Sequence, residues 1–93
     1  MPAMIRVEKL GEGKYQATVS DGRGETRHTV GLAREDFEKL AGGKTTPEEL
    51  IRRSFEFLLE REPKEAILRS FDLPVIGRYF PEYEREIRRR LGV

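Results

Sequence analysis

The stretch Thr46-Pro47-Glu48-Glu49-Leu50-Ile51-Arg52-Arg53-Ser54-Phe55-Glu56-Phe57-Leu58-Leu59 decides the fold. Thr46 suits a helix N-cap, Pro47 suits the first helical position, and Glu49 stands where a capping box places its acid. The helix it opens is expected to run to about Arg61. Leu50, Ile51, Ser54, Phe55, Phe57, Leu58 and Leu59 make a wide apolar stripe, with Arg52, Arg53, Glu56 and Glu60 facing away. A stripe that wide has to pack on two sides, against a sheet and against further helices.

The sheet lies upstream. Met4–Leu10, Tyr15–Ser20 and Thr26–Leu32 alternate as strands do, with Ile5 and Val7, then Tyr15, Ala17 and Val19, then His28, Val30 and Leu32 on one face. Gly11-Glu12-Gly13-Lys14 and Asp21-Gly22-Arg23-Gly24 supply the glycines of tight hairpin loops. A helix over about Arg34–Ala41 follows, closed by Gly42-Gly43.

Downstream, the apolar spacing predicts helices over about Lys64–Phe71, Leu73–Phe80 (capped by Asp72) and Pro81–Leu91. The expected fold class is α+β: a three-stranded antiparallel β-meander (4–32) followed by about four or five helices packed on one face (34–91). Residues 1–93 read as a single domain.

Composition bounds the chemistry. The chain has 93 residues, 38% of them charged, yet 18 Lys+Arg against 17 Asp+Glu leave a formal charge of +1. The charges also cancel within each half, which argues against a broad basic field for nucleic acid. Such a density of Arg and Glu favours surface ion-pair networks of the kind that matter at high temperature, and a thermophilic source fits it. With no cysteine and one histidine, disulfides, thiol catalysis and thiolate zinc sites are excluded. Met1-Pro2-Ala3-Met4 is not the start of a signal peptide, and no apolar run spans a membrane, so a cytoplasmic location is expected.

His28, alternating with Val30 and Leu32, reads as a residue of the sheet's apolar face. The glycines at 11, 13, 22 and 24 match no phosphate-binding pattern. Pairs such as Glu49–Arg53 and Arg52–Glu56 at i,i+4 are helix-surface pairs. No catalytic residue, metal ligand or cofactor site is therefore assigned, and the chain is read as a non-enzymatic protein.

Two regions are candidates for contact with partners. Phe71, Tyr79, Phe80 and Tyr83, with Arg78, form an aromatic and arginine-bearing cluster of the kind enriched at protein interfaces. Residues 66–80 could fold as a helix-turn-helix, with Ala66, Phe71, Ile76 and Tyr79 inward and Arg85, Arg88, Arg89 and Arg90 reaching phosphates. The open edges of a meander add the expectation of a homodimer.

Ser54–Pro63 and Phe71–Glu84 resemble a family of small uncharacterised bacterial proteins, a resemblance that brings no activity with it. The strand–strand–strand–helix order, with Gly13-Lys14-Tyr15-Gln16-Ala17-Thr18-Val19 in the second strand, is similar to HicB-type antitoxins, although Asp21-Gly22-Arg23-Gly24 replaces their usual proline-glycine turn. The leading expectation is a cytoplasmic protein acting through protein–protein contact. The alternative is a nucleic-acid-associated regulator, antitoxin-like or built on the 66–80 segment.

Overall fold

A computed structural model describes residues 3–93. Three strands, β1 (Met4–Gly11), β2 (Lys14–Asp21) and β3 (Gly24–Gly31), form the expected antiparallel meander. Its hairpins turn where the glycines stand: Gly13 has φ 68° and Gly24 has φ 134°. Ile5 pairs with Val19, Val7 with Ala17 and Ala17 with His28, so one face gathers the apolar residues. On that face Ala17, Val19 and Val30 are fully buried.

Helix α1 (Arg34–Ala41) follows and ends at Gly42 in the left-handed conformation. Helix α2 (Pro47–Leu59) begins as its sequence dictates, Thr46 Oγ1 accepting from the Glu49 amide at 3.2 Å. The capping box is half formed, because the Glu49 carboxylate turns to Arg52 and Arg53 instead. Leu50, Ile51, Phe55 and Phe57 are completely buried. α2 lies across β1 and β2 and carries helix α4 (Tyr83–Leu91) on its other side.

The structure departs from expectation after Pro63. No helix forms over 64–71. Lys64–Ala66 makes a single 3₁₀ turn, the chain then extends, and Ser70–Asp72 joins the sheet as β4. β4 runs parallel to β3, pairing Thr29 with Ser70, Val30 with Phe71 and Gly31 with Asp72. The sheet therefore has four strands in the order β1-β2-β3-β4 and is mixed, rather than a three-stranded meander. The part expected to be purely helical, 34–91, returns to the sheet in its middle.

The physical reason lies on β3. Its outer edge offers backbone groups that need partners beside a buried face. The Thr29 amide takes the Arg69 carbonyl at 2.8 Å. A local helix would have kept that carbonyl for itself. Lys64, itself buried, adds ion pairs to Asp21 at 3.0 Å and Glu65 at 2.6 Å.

The next expected helix is also reduced. Leu73–Val75 is 3₁₀ and helix α3 spans only Ile76–Tyr79, while Asp72 stands at the N-cap position without a side-chain bond. Pro81 forces its predecessor out of the helical region, leaving Phe80 at φ −131°, ψ 91°. The last helix consequently starts at Tyr83 rather than Pro81. The described residues thus hold four α-helices, one of them a single turn, and the helix expected over 64–71 is missing.

Two outcomes test this packing. Phe55→Ala and Leu58→Ala should each cost about 2–5 kcal/mol by urea denaturation; near-neutral values would remove α2 from the centre of the core. Gly31 is tied to β4 by close approach, since a Cβ there would overlap the Asp72 carboxylate. Gly31→Ala should cost about 1–3 kcal/mol and speed hydrogen exchange at the Thr29 amide.

Candidate functional site

Residues 67–69 are not helical but bend at Ile67 and Arg69 on the way into β4, which sends neighbouring side chains to different sides. Ile67 goes inward and is 4% exposed, whereas Leu68 stands out at 46%. This segment, the end of α2 and α3 surround a half-open apolar cavity of about 280 Å³. Leu58 and Glu62 come from the α2 side, Ile67 and Phe71 from the segment leading into and through β4, and Ile76, Tyr79 and Phe80 from α3 and its end. Tyr79, 66% exposed, forms the rim with Leu68.

Aromatic contacts hold the walls. Phe71 packs on Phe55 (ring centroids 6.1 Å apart), and Phe55 packs on His28 at 5.3 Å. Phe80 meets Phe57 edge-on at 5.9 Å, and the Arg61 guanidinium lies 3.6 Å from the Phe57 ring centre on a face of that ring. Arg61 is held in turn by Glu82 at 3.2 Å and by the Phe57 carbonyl at 3.1 Å.

The five residues expected to form one interaction cluster separate into three settings. Phe71, Tyr79 and Phe80 line the cavity. Arg78 lines a second, separate hollow of about 280 Å³ that it shares with Asp36 and Asp72. Tyr83 is core: it is 1% exposed, and its hydroxyl donates to Ser54 Oγ at 2.6 Å because Ser54 donates to the Leu50 carbonyl. Burial pushes its phenol pKa upward. The two-helix arrangement expected over 66–80 does not form, and Ala66 and Tyr79, expected inward, are exposed.

The arginines of α4 are mostly engaged. Arg90 pairs with Glu60 at 2.6 Å and with Glu86 at 3.3 Å. Arg89 pairs with Glu86, and Arg88 donates to the Lys39 carbonyl. Among the described residues Arg85 has no carboxylate within ion-pair reach. No helix among them is long and apolar enough to cross a membrane.

Leu68, Ile67, Leu58, Glu62 and Val75 were not singled out as site residues. The signal for Leu68 was an apolar residue between Ile67 and Arg69, but helical spacing assigns it to the buried side. Only the non-helical backbone, bending at Ile67 and Arg69, turns it outward.

His28 is buried and fully committed. A carbonyl only accepts, so Nδ1 carries the proton donated to the Leu68 carbonyl at 2.7 Å, and Nε2 accepts from Thr26 Oγ1 at 2.8 Å. The ring is neutral, and burial lowers its pKa.

No family model, curated protein or solved structure matches this chain.

The state of His28 sets a pH dependence. The unfolded chain takes up a proton at a pKa near 6.5, while the folded chain resists it until lower pH. Between those values the unfolded state binds more protons, so stability falls as pH drops below about 6.5. Thermal melts from about pH 7.5 to about pH 5.5 should show this decline, and His28→Gln should be less stable but flat across the same window.

Proposed function

We propose that this chain is a non-enzymatic protein-interaction domain whose 58–80 cavity receives a bulky apolar side chain from a partner protein. The observation that carries the reading is the cavity itself: apolar walls, half open, with Leu68 and Tyr79 left exposed on its rim. Exposed apolar groups around a preformed hollow are the usual mark of a binding surface. Its volume of about 280 Å³ lies just below the range of ligand pockets, which hold roughly 300–1,000 Å³. That size suits one anchoring side chain better than a nucleotide or a drug-sized cofactor.

Charge selects the partner's chemistry. Arg69 adjoins Leu68, and Arg78 adjoins Tyr79. Neither has a carboxylate within ion-pair reach among the described residues, although most arginines of this chain do. These two cations outnumber the one carboxylate of the cavity wall, Glu62, and favour a partner segment with an apolar anchor flanked by acidic residues. Arginine and aromatic rims of this kind concentrate binding energy at protein interfaces.

The test is an NMR titration with two synthetic peptides, a phenylalanine anchor flanked by glutamates and the same anchor flanked by lysines. The glutamate peptide should shift the resonances of Leu68, Phe71 and Tyr79 and bind more tightly than its lysine counterpart. Leu68→Asp should weaken it by about tenfold or more with an unchanged melting temperature, since Leu68 is largely exposed. If neither peptide shifts these resonances, or if Leu68→Asp binds as the parent does, the reading fails.

A further inference from the structure

The two edges of the sheet are unequal. β4 contributes three residues to one edge, whereas β1 presents eight at the other, where nothing among the described residues pairs with it beyond β2. A long exposed edge ordinarily invites indiscriminate pairing, and charges on it limit which strand can add. In β1 those charges are arranged about a centre. Arg6 and Glu8 flank Val7 on the face opposite the core, and Met4 and Leu10, 75% and 52% exposed, lie three residues to either side. Ile5 and Lys9 stand two residues away on the other face.

We propose that β1 pairs antiparallel with β1 of a second copy, about a two-fold axis through Val7, to make one continuous eight-stranded sheet. In that register Arg6 stands across from the second copy's Glu8, and Glu8 from its Arg6. The regular part of β1, Met4–Lys9, carries this pairing, and the strand becomes irregular at Leu10. Val7 meets Val7, and the Lys9 stem lies across from Ile5. Directly opposed residues of an antiparallel pair have Cβ atoms about 4.5–5.5 Å apart, close enough for both ion pairs to form. Arg6 and Glu8 are 3.7 Å apart within one chain and well exposed, so both can turn to a new partner.

Neighbouring registers fail on the same residues. Centring on Arg6 or on Glu8 sets like charges against each other. Shifting the sum of paired positions by one turns the second copy over, placing its apolar face on the solvent side. The occupant of this edge is thus selected by the strand's own charge order. β1 and β4 lie at opposite edges of the sheet, so this contact is independent of the 58–80 cavity.

Sedimentation equilibrium over a concentration series tests the proposal. The parent chain should show a concentration-dependent monomer–dimer equilibrium. Arg6→Glu and Glu8→Arg, each placing two like-charged pairs in the dimer, should each weaken association by about tenfold or more. The double exchange Arg6→Glu/Glu8→Arg, which restores opposite charges in this register, should recover it. Both positions are exposed, so unchanged melting temperatures establish that the variants fold. A parent chain that remains monomeric at millimolar concentration overturns the proposal. So does a dimer indifferent to the single reversals, or one that the double exchange does not restore.

Discussion

The bond from His28 Nδ1 to the carbonyl of Leu68 is the constraint on which the rest of this structure depends. It joins residues forty positions apart, from the middle of β3 to the chain that leaves α2. Burial keeps the ring neutral, and with Thr26 occupying Nε2 the imidazole has one orientation. The ring therefore acts as a fixed donor in an apolar wall, where an unpaired carbonyl or imidazole would be costly. Arg69 O on the Thr29 amide and Lys64 on Asp21 fasten the same segment on either side. Residues 64–72 are consequently held against the sheet.

From that attachment the candidate site follows. A non-helical 67–69 leading into β4 buries Ile67, exposes Leu68 and delivers Phe71 onto Phe55. It also brings α3 to the far side of a space that the chain does not fill. Had 64–71 been helical, Ile67 and Leu68 would both have packed inward. The two phenylalanines of α2 divide the work: Phe55 connects the sheet to the cavity through His28 and Phe71, while Phe57 connects Phe80 to Tyr83 and α4. Both are inaccessible to solvent, so the cavity walls share their packing with the core.

The high charge content resolves mostly into local partners. On α2, Glu49 and Glu56 each bridge Arg52 and Arg53. On α4, Glu86 takes Arg89 and Arg90, and Arg90 reaches back to Glu60. Individually such exposed pairs contribute little, but they determine where uncompensated charge remains. Arg69 and Arg78, next in sequence to the rim residues Leu68 and Tyr79, are two such places. The Arg6/Glu8 pair on β1 differs, because its partners already share one face and one edge. Composition alone showed near neutrality; the distribution of partners gives each surface its character.

The sequence by itself determined the three-stranded meander and helices α1 and α2. In these segments local signals and burial agree: period-two alternation beside glycine turns, and a Thr46-Pro47 cap ahead of an apolar stripe. It also placed His28 on the apolar face and Pro81 at a break. Tertiary structure decided residues 64–80. Lys64–Phe71 carries helix-compatible spacing in Ile67, Leu68 and Phe71, and nothing local records that β3 has an unsatisfied edge forty residues earlier. The backbone partners offered there outweigh a weak eight-residue helix, since a short helix gains little on its own. With that choice Leu68 turned outward, Tyr83 proved to be core, and Phe71, Tyr79 and Phe80 came to surround a cavity. A pattern of side chains reports which face is apolar. Which backbone groups still need partners is settled only when distant segments meet.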